Sequence, residues 1–239
     1  MTTLYGWGPM FGEQGPSPFV LKTEIQLRML GIAFDSKLAD LEAVSKHKAP
    51  YVEDDGEIIE DSAFIRWHFE QKLHRDLNAG LTDEQRGQAW AVERMLEDRL
   101  NLIMVAERWL EDHNFFKGPA NFFARVSEGV RTQTMEEVRA GIRGMMQRHG
   151  IGRHSRAERL QLAAADIEAV ARILGDRPFL FGDAPTAADA IAYGELTCCG
   201  AKYFDTPLVA MVDRHANVRP YLARMEARFF DCERWRNAA

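Results

Sequence analysis

The chain has 239 residues, a formal net charge of −6, 46% apolar residues and 28% charged residues. That composition is ordinary for a soluble globular protein, and an acidic balance excludes the basic stripe of a general nucleic-acid binder. No apolar run approaches a membrane span, Met1 to Met10 lacks a signal-peptide pattern, and three cysteines (Cys198, Cys199, Cys232) are too few for a disulfide framework. A reducing cytoplasm is therefore the expected compartment.

Taken in chain order, Thr2 to Gly6 reads as a short strand, followed by a loop rich in glycine and proline through Pro16. Ser17-Pro18 starts a helix, with serine as N-cap and proline at the first helical position. Gly31 stops it. Ile32 to Leu38 reads as a second strand and Ala39 to Lys46 as a short helix. Asp54-Asp55-Gly56, between Tyr51-Val52-Glu53 and Glu57-Ile58-Ile59, is a strong hairpin signal. Asp61-Ser62 caps a helix with Ile65, Phe69 and Leu73 on one stripe. The order is βαβ followed by ββα. Residues 1–75 hold 12 acidic and 8 basic side chains, so the acidity is concentrated at the front.

Beyond Leu77 the pattern is helical throughout. Val92, Leu96, Leu100 and Ile103 recur at helical spacing, as do Leu160, Ala163, Ile167, Val170 and Leu174. Breaks fall at Lys117-Gly118-Pro119, at Gly150-Ile151-Gly152 and from Gly175 to Pro185. Asn78 to Thr82 is the expected linker between a small α/β domain (residues 1–77) and an all-α domain (82–239).

Several local patterns can carry chemistry. A hydroxyl at the start of a helix, where free N–H groups and the dipole favour negative charge, can donate to a bound thiolate and lower its pKa. Ser17 has that position, and a plain N-cap role stays open beside it. No cysteine precedes Cys198, so any sulfur chemistry at the front must come from a ligand's thiol. Pro50 opens a strand. If the Ala49–Pro50 bond is cis, the backbone N–H and C=O of Ala49 turn outward and can pair with an extended ligand; an ordinary trans proline is the alternative. Asp61-Ser62 is either a simple cap or a seat for a ligand with both carboxylate and amine. Thr186-Ala187-Ala188-Asp189 has the shape of a capping box and reads as structural. His149 and His154 lack a completing carboxylate or thiol, so no metal is expected. The pairs Phe115-Phe116 and Phe122-Phe123 can wall an apolar pocket or belong to the core.

Together these residues resemble the glutathione transferase superfamily along nearly the whole chain. The likeness rests on Ser17-Pro18-Phe19, Pro50, Asp61-Ser62-Ala63-Phe64-Ile65 and the stretch from Phe179 to Asp189. It is closer still to the metaxin and failed-axon-connections branch, on Ser17-Pro18-Phe19-Val20-Leu21-Lys22, Gly31 and Gly150-Ile151-Gly152-Arg153-His154-Ser155. The resemblance implies an α/β thioredoxin-like N-terminal domain and an all-α C-terminal domain. It implies glutathione as co-substrate with its thiol near Ser17, its cysteinyl backbone paired with Ala49 beside a cis-Pro50, and its γ-glutamyl end at Asp61 and Ser62. Lys48 and Arg66 are the local cations for so acidic a front. An apolar electrophile is expected near Phe115, Phe116 and Phe122. The loop from Gly8 to Pro16 is longer than the short turn of typical catalytic members, which brings forward Tyr5 and Trp7 as further candidates. The family also implies a homodimer through the region after Asp61 and the helix from Thr82. Its rival within the same fold is a non-catalytic, metaxin-like interaction module. A thiol reductase is disfavoured, because that chemistry normally needs a cysteine where Ser17 stands.

Overall fold

The computed structural model describes residues 1–230; Cys232 lies outside the described residues. A four-stranded sheet opens the chain, in the order β2-β1-β3-β4. Strand β1 (Thr2–Gly6) runs parallel to β2 (Phe34–Leu38), with Thr2 opposite Phe34, and antiparallel to β3 (Tyr51–Asp54), with Leu4 opposite Val52. Strand β4 (Glu57–Glu60) returns from β3 through Asp55 and Gly56, both at positive φ, the backbone a tight two-residue hairpin demands. Leu4, Val52 and Ile59 point to one face of the sheet. There they meet Leu27 of helix α1 (Pro18–Met29) and Ile65 and Phe69 of α2 (Ser62–Leu73) in one apolar cluster.

Two front elements differ from the sequence reading. Strand β2 begins at Phe34 rather than Ile32. Gly31 sits at φ 77°, and the Ile32 N–H turns back to the Leu27 carbonyl, so the residues after α1 serve its C-terminal cap first. The expected helix over Ala39–Lys46 is only a single 3₁₀ turn, Leu41–Ala43, capped by the Asp40 carboxylate. None of its residues is buried, and a helix without an apolar face has no packing to stabilise it.

Asn78 pins the linker: its side-chain carbonyl accepts from the Ala187 N–H at 3.2 Å. Thr82 and Gln85 then form a capping box that starts α3 (Asp83–Met95). A π-helical turn, Leu96–Leu100, joins α3 to α4 (Asn101–Trp109) without a break. Helix α5 (Asp112–Lys117) and a 3₁₀ segment (Pro119–Phe123) lead to α6 (Glu128–His149). Gly150, at φ 106°, ends α6, and Ser155 caps α7 (Arg156–Leu174). Helices α8 (Ala187–Cys199), α9 (Pro207–Asp213) and α10 (Val218–Phe229) complete the described chain.

Every residue of α8 is buried; it is the central post of the helical half. The Asp189 carboxylate, in its first turn, accepts from the Leu180 N–H, the Thr186 N–H and hydroxyl, and the Tyr221 hydroxyl. The loop before the helix and α10 behind it are thus tied to one buried side chain.

Helix α1 joins the two halves. Nine of its twelve residues are buried. Leu21 and Ile25 belong to the helical core and Leu27 to the sheet's cluster. At the crossing with α8, a Cβ on Gly194 would come within 2.6 Å of the Pro18 carbonyl oxygen, so only glycine allows this approach. Lys22, fully buried on α1, reaches Glu97 at 2.7 Å and Glu93 at 3.6 Å, and Arg66 of α2 reaches Glu93 at 3.2 Å. A buried charge needs such partners, and here they connect α1, α2, α3 and the π turn.

Candidate functional site

Two cavities lie against the N-terminal end of α1 and have the Phe19 side of that helix in common. The smaller, about 270 Å³, is lined by Lys48, Ala49, Pro50, Asp61 and Ser62 from the sheet side and by Arg94, Glu97 and Asp98 from α3 and the π turn. Ala49–Pro50 is the cis peptide bond among the described residues. Asp61 is the N-cap of α2 at φ 87°; one carboxylate oxygen accepts from the Ala63 N–H at 3.0 Å and the other from Lys48 Nζ at 2.8 Å. Partial burial pushes the Asp61 carboxyl up, but the Lys48 ammonium and the Ala63 N–H outweigh it and hold the group below its ordinary value. Asp61 is thus an anion beside the free N–H groups of a helix start. A zwitterionic ligand end, one ammonium and one carboxylate, is what such a pair can receive.

The larger cavity, about 500 Å³, is lined by Ser17 with Trp7, Phe11, Phe19, Met104, Val105, Arg108, Trp109 and Phe122 among others. Ser17 Oγ accepts a long 3.5 Å hydrogen bond from the Val20 N–H. That leaves the hydroxyl proton to donate elsewhere. Phe122 lies at the centre of the aromatic wall. Its ring is 6.1 Å from Trp109 in a stacked arrangement, 6.1 Å from Phe11 edge-on and 6.4 Å from Trp7.

The long Gly8–Pro16 loop explains how Phe11 enters this wall. Met10 and Glu13 exchange backbone hydrogen bonds around Phe11 and Gly12, both at positive φ. A bulky residue in that conformation costs about 1 kcal/mol or more. The Phe11 ring offsets the cost by packing edge-on against Phe204, 5.0 Å away, and beside Tyr203 and Ala201. The loop is folded down onto the segment after α8.

Three expected pocket residues lie elsewhere. Phe115 is fully buried beneath Trp109 and Phe123 and belongs to the core. Phe116, at 62% exposure, packs edge-on against Phe115 and lies outside the cavity lining. Tyr5 stacks on Tyr51 at 4.5 Å and donates to Glu53, which occupies it at the sheet. Trp7 and Phe122 do line the cavity. Among the described residues no group of three or more histidine, cysteine, aspartate or glutamate side chains is placed to hold a metal.

Phe11, Phe19, Arg108 and Trp109 were missed from sequence. One signal was available: Asn101, Met104, Val105 and Arg108 recur at i, i+3, i+4 and i+7. They form the stripe beside the more obvious core stripe of Leu96, Leu100 and Ile103, and this second face borders the cavity.

Comparisons with known proteins agree with this architecture. The family model of the glutathione S-transferase N-terminal domain matches residues 18–114, and that of the C-terminal domain matches residues 163–225. The chain is 32% identical over 209 residues to the isoprene-epoxide–glutathione S-transferase of Rhodococcus sp. (strain AD45), covering 82% of this chain and 85% of the relative. It is 31% identical over 199 residues to Failed axon connections of Drosophila melanogaster, covering 76% of this chain but spanning only 46% of the fly protein. Among solved structures, a glutathione S-transferase of Methylobacterium radiotolerans in complex with glutathione sulfonate superposes with a TM-score of 0.61 at 18% identity, over 95% of this chain and 91% of the other. A beta-etherase of Sphingobium does so with a TM-score of 0.61 at 16% identity, over 95% and 99%; these two likenesses speak to the fold alone. With the thioredoxin-like sheet followed by the helical half, the chain belongs to the glutathione transferase superfamily.

Proposed function

We propose that the protein binds glutathione in the smaller cavity and directs its thiolate at an apolar electrophile in the larger one. The observation that carries this reading is the junction at the start of α1. Ser17 lines the larger cavity, Ala49, Pro50, Asp61 and Ser62 line the smaller, and Phe19 lines both. In this reading the γ-glutamyl end pairs with Asp61 and the helix start at Ser62, the cysteinyl backbone pairs with Ala49, and the thiol reaches Ser17. A free thiol with pKa near 8.5 is ionised to only a few per cent at neutral pH. A hydroxyl donor at a helix N-terminus favours the thiolate. The electrophile wall is aromatic and suits an apolar partner. The Rhodococcus relative's name, an isoprene-epoxide–glutathione S-transferase, suggests small epoxides as the substrate class.

Calorimetric titration with glutathione tests this directly. Binding at millimolar glutathione or tighter is the expected result, with affinity reduced about tenfold in Asp61→Ala, the loss of one charge-assisted hydrogen bond. No binding by the wild type overturns the reading. In that event the rival, a non-catalytic interaction module, is the better account; open cavities of about 270 and 500 Å³ weigh against it.

The reading extends to assembly and place. Phe64 and Trp67 of α2 and Trp90 of α3 are exposed yet packed together, Phe64 edge-on to Trp67 at 5.3 Å and Trp67 on Trp90 at 6.2 Å. A contiguous exposed aromatic patch marks an interaction surface, and we assign it to the homodimer contact. Trp67→Glu with Trp90→Glu is expected to halve the mass measured by light scattering. An unchanged mass would remove these residues from the interface. Division into residues 1–77 and 82–239, and a cytoplasmic location with its reduced glutathione pool, belong to the same reading. No described helix is long and apolar enough to cross a membrane.

A further inference from the structure

Helix α4 ends in a cation that the fold orients without neutralising. Arg108 is 5% exposed and lines the larger cavity together with Ser17. Nη1 donates to the Pro16 carbonyl at 3.0 Å and Nη2 to the Cys198 carbonyl at 2.5 Å. The guanidinium carbon lies 4.6 Å from the ring centre of Phe204 and 6.0 Å from that of Phe11. Carbonyls and ring faces hold a guanidinium in place but bring no counter-charge. Among the described residues no carboxylate forms an ion pair with it.

Two carboxyls, Glu195 and Glu13, lie in its field, and its charge favours their ionised forms against burial. Burial, then the charge of Glu97, pushes Glu195 of α8 well above its ordinary value, and its two oxygens have no hydrogen-bond partner among the described residues. Burial, then Glu226, pushes Glu13 up. Arginine itself does not lose its proton in a protein. The aromatic cavity therefore contains a fixed positive charge that an apolar ground-state ligand does not use. Burying a charge without a counter-charge is costly, and an anion that exists only during turnover would recover that cost where it lowers the barrier.

We propose that Arg108 is the catalytic residue on the electrophile side, holding the alkoxide that forms when the thiolate of glutathione opens an epoxide in the larger cavity. This rests on the glutathione transferase reading given above. A sulfur lone pair forms the C–S bond at one ring carbon. The C–O bond at that carbon breaks, and its electron pair stays on oxygen. The Arg108 guanidinium hydrogen-bonds the new alkoxide, which then takes a proton from solvent water. The thiol proton was released to solvent on ionisation, so the sum is glutathione plus epoxide giving a hydroxy thioether, with no oxidant or reductant. Donors fixed in advance in a cavity of low dielectric are effective at this step, because they need no reorganisation as charge develops.

The test compares wild type, Arg108→Met and Arg108→Lys with styrene oxide as the probe. Arg108→Met is expected to lower kcat about 100-fold, the usual loss for one oxyanion donor. The KM for the epoxide, the dissociation constant of glutathione and the pKa of its bound thiol are expected to stay put. Arg108→Lys, which keeps the charge but not the fork, is expected to lose about tenfold. A shifted thiol pKa would instead show that Arg108 only holds Pro16, and through it Ser17, and would overturn the proposal; so would an Arg108→Met enzyme that opens the epoxide at the wild-type rate. If Arg108→Met does not fold by circular dichroism, Arg108→Lys decides alone, by lowered kcat at unchanged thiol pKa or by its absence. A wild type that conjugates other electrophiles but leaves styrene oxide untouched overturns the assignment while sparing the glutathione reading. A wild type that binds no glutathione overturns both.

Discussion

Replacing Ser17 with alanine is expected to raise the pKa of bound glutathione's thiol by about two units, toward that of the free thiol. On the proposed reading the helix start remains in the variant, and the hydroxyl that donates to the thiolate is lost. Two units convert a half-ionised thiol at about pH 6.5 into one ionised to about 1%. Conjugation at that pH should therefore fall about fifty-fold, and the deficit should shrink as pH rises and both enzymes become thiolate. The sign follows from the linkage: a depressed thiol pKa helps only below the free value. Pairing the pH–rate profile with the ultraviolet absorbance of bound thiolate separates this from a folding defect. A deficit that is constant across pH would remove Ser17 from thiol activation. Val20 makes only a long bond to Ser17, so little helix stability is at stake.

The largest expected effect on stability lies elsewhere, at Asp189. Its carboxylate is the shared acceptor for Leu180, Thr186 and Tyr221, and the residue is wholly buried. Asp189→Ala leaves the Leu180 and Thr186 donors without partners where water does not reach, while the Tyr221 hydroxyl keeps the backbone carbonyl of residue 189, 3.1 Å away. Each unsatisfied buried group costs about 1–3 kcal/mol, and with partial relaxation the variant should lose about 4 kcal/mol. For a chain of this size that is a melting temperature lower by about 10 °C, readable by calorimetry. A loss under about 1 kcal/mol would mean that the loop from Phe179 re-pairs its donors. Asp189→Asn keeps one carbonyl acceptor and should fall between.

Asp189 also has a pH signature opposite to that of a surface ion pair. Burial pushes its pKa up, and the hydrogen bonds from Leu180, Thr186 and Tyr221 pull against it without cancelling it. The native state thus binds the proton more tightly than the unfolded chain. On this account stability declines as pH rises from the ordinary carboxylate value through the folded one. That decline should vanish in Asp189→Asn. Asp54 behaves in the reverse sense. Burial pushes it up, but hydrogen bonds from Lys72, His68 and Thr2 leave it below its ordinary value. Its contribution is present above the ordinary value and is lost as the pH falls through the folded one.

Much of this molecule could be read from local chemistry. Strand β1, the hairpin at Asp54-Asp55-Gly56, the Ser17-Pro18 helix start and the breaks at Gly150 and Gly175 each depend on residues within a few positions of one another, and local rules reach that far. Ala49, Pro50, Asp61 and Ser62 line one cavity, but local pattern leaves an ordinary trans proline and a plain helix cap open there; the family resemblance is what groups them. Over Ala39–Lys46 the helix is cut to a single 3₁₀ turn because Leu41–Ala43 has no face to bury. The aromatic wall of the larger cavity is the harder part, because its members meet only in three dimensions. Arg108 and Pro16 are 92 positions apart, and nothing within a window of sequence links them. Phe115 and Phe122 belong to similar aromatic pairs, yet one is core and the other lines the cavity. Tertiary packing alone makes that choice.

The contact of α1 with α8 through Gly194 bears on how such a protein can be cut or recombined. A fragment ending at the linker would carry α1 with Leu21, Lys22 and Ile25 stripped of their partners on the other side. Thioredoxin-like as its sheet is, the front half buries one side of α1 against the helices that follow. Swapping either half with a relative's would transplant a mismatched seam against the helix that starts at Ser17. Changes in α8, which lends no lining residue to either cavity, are then a route by which evolution can retune the cavity without touching its walls.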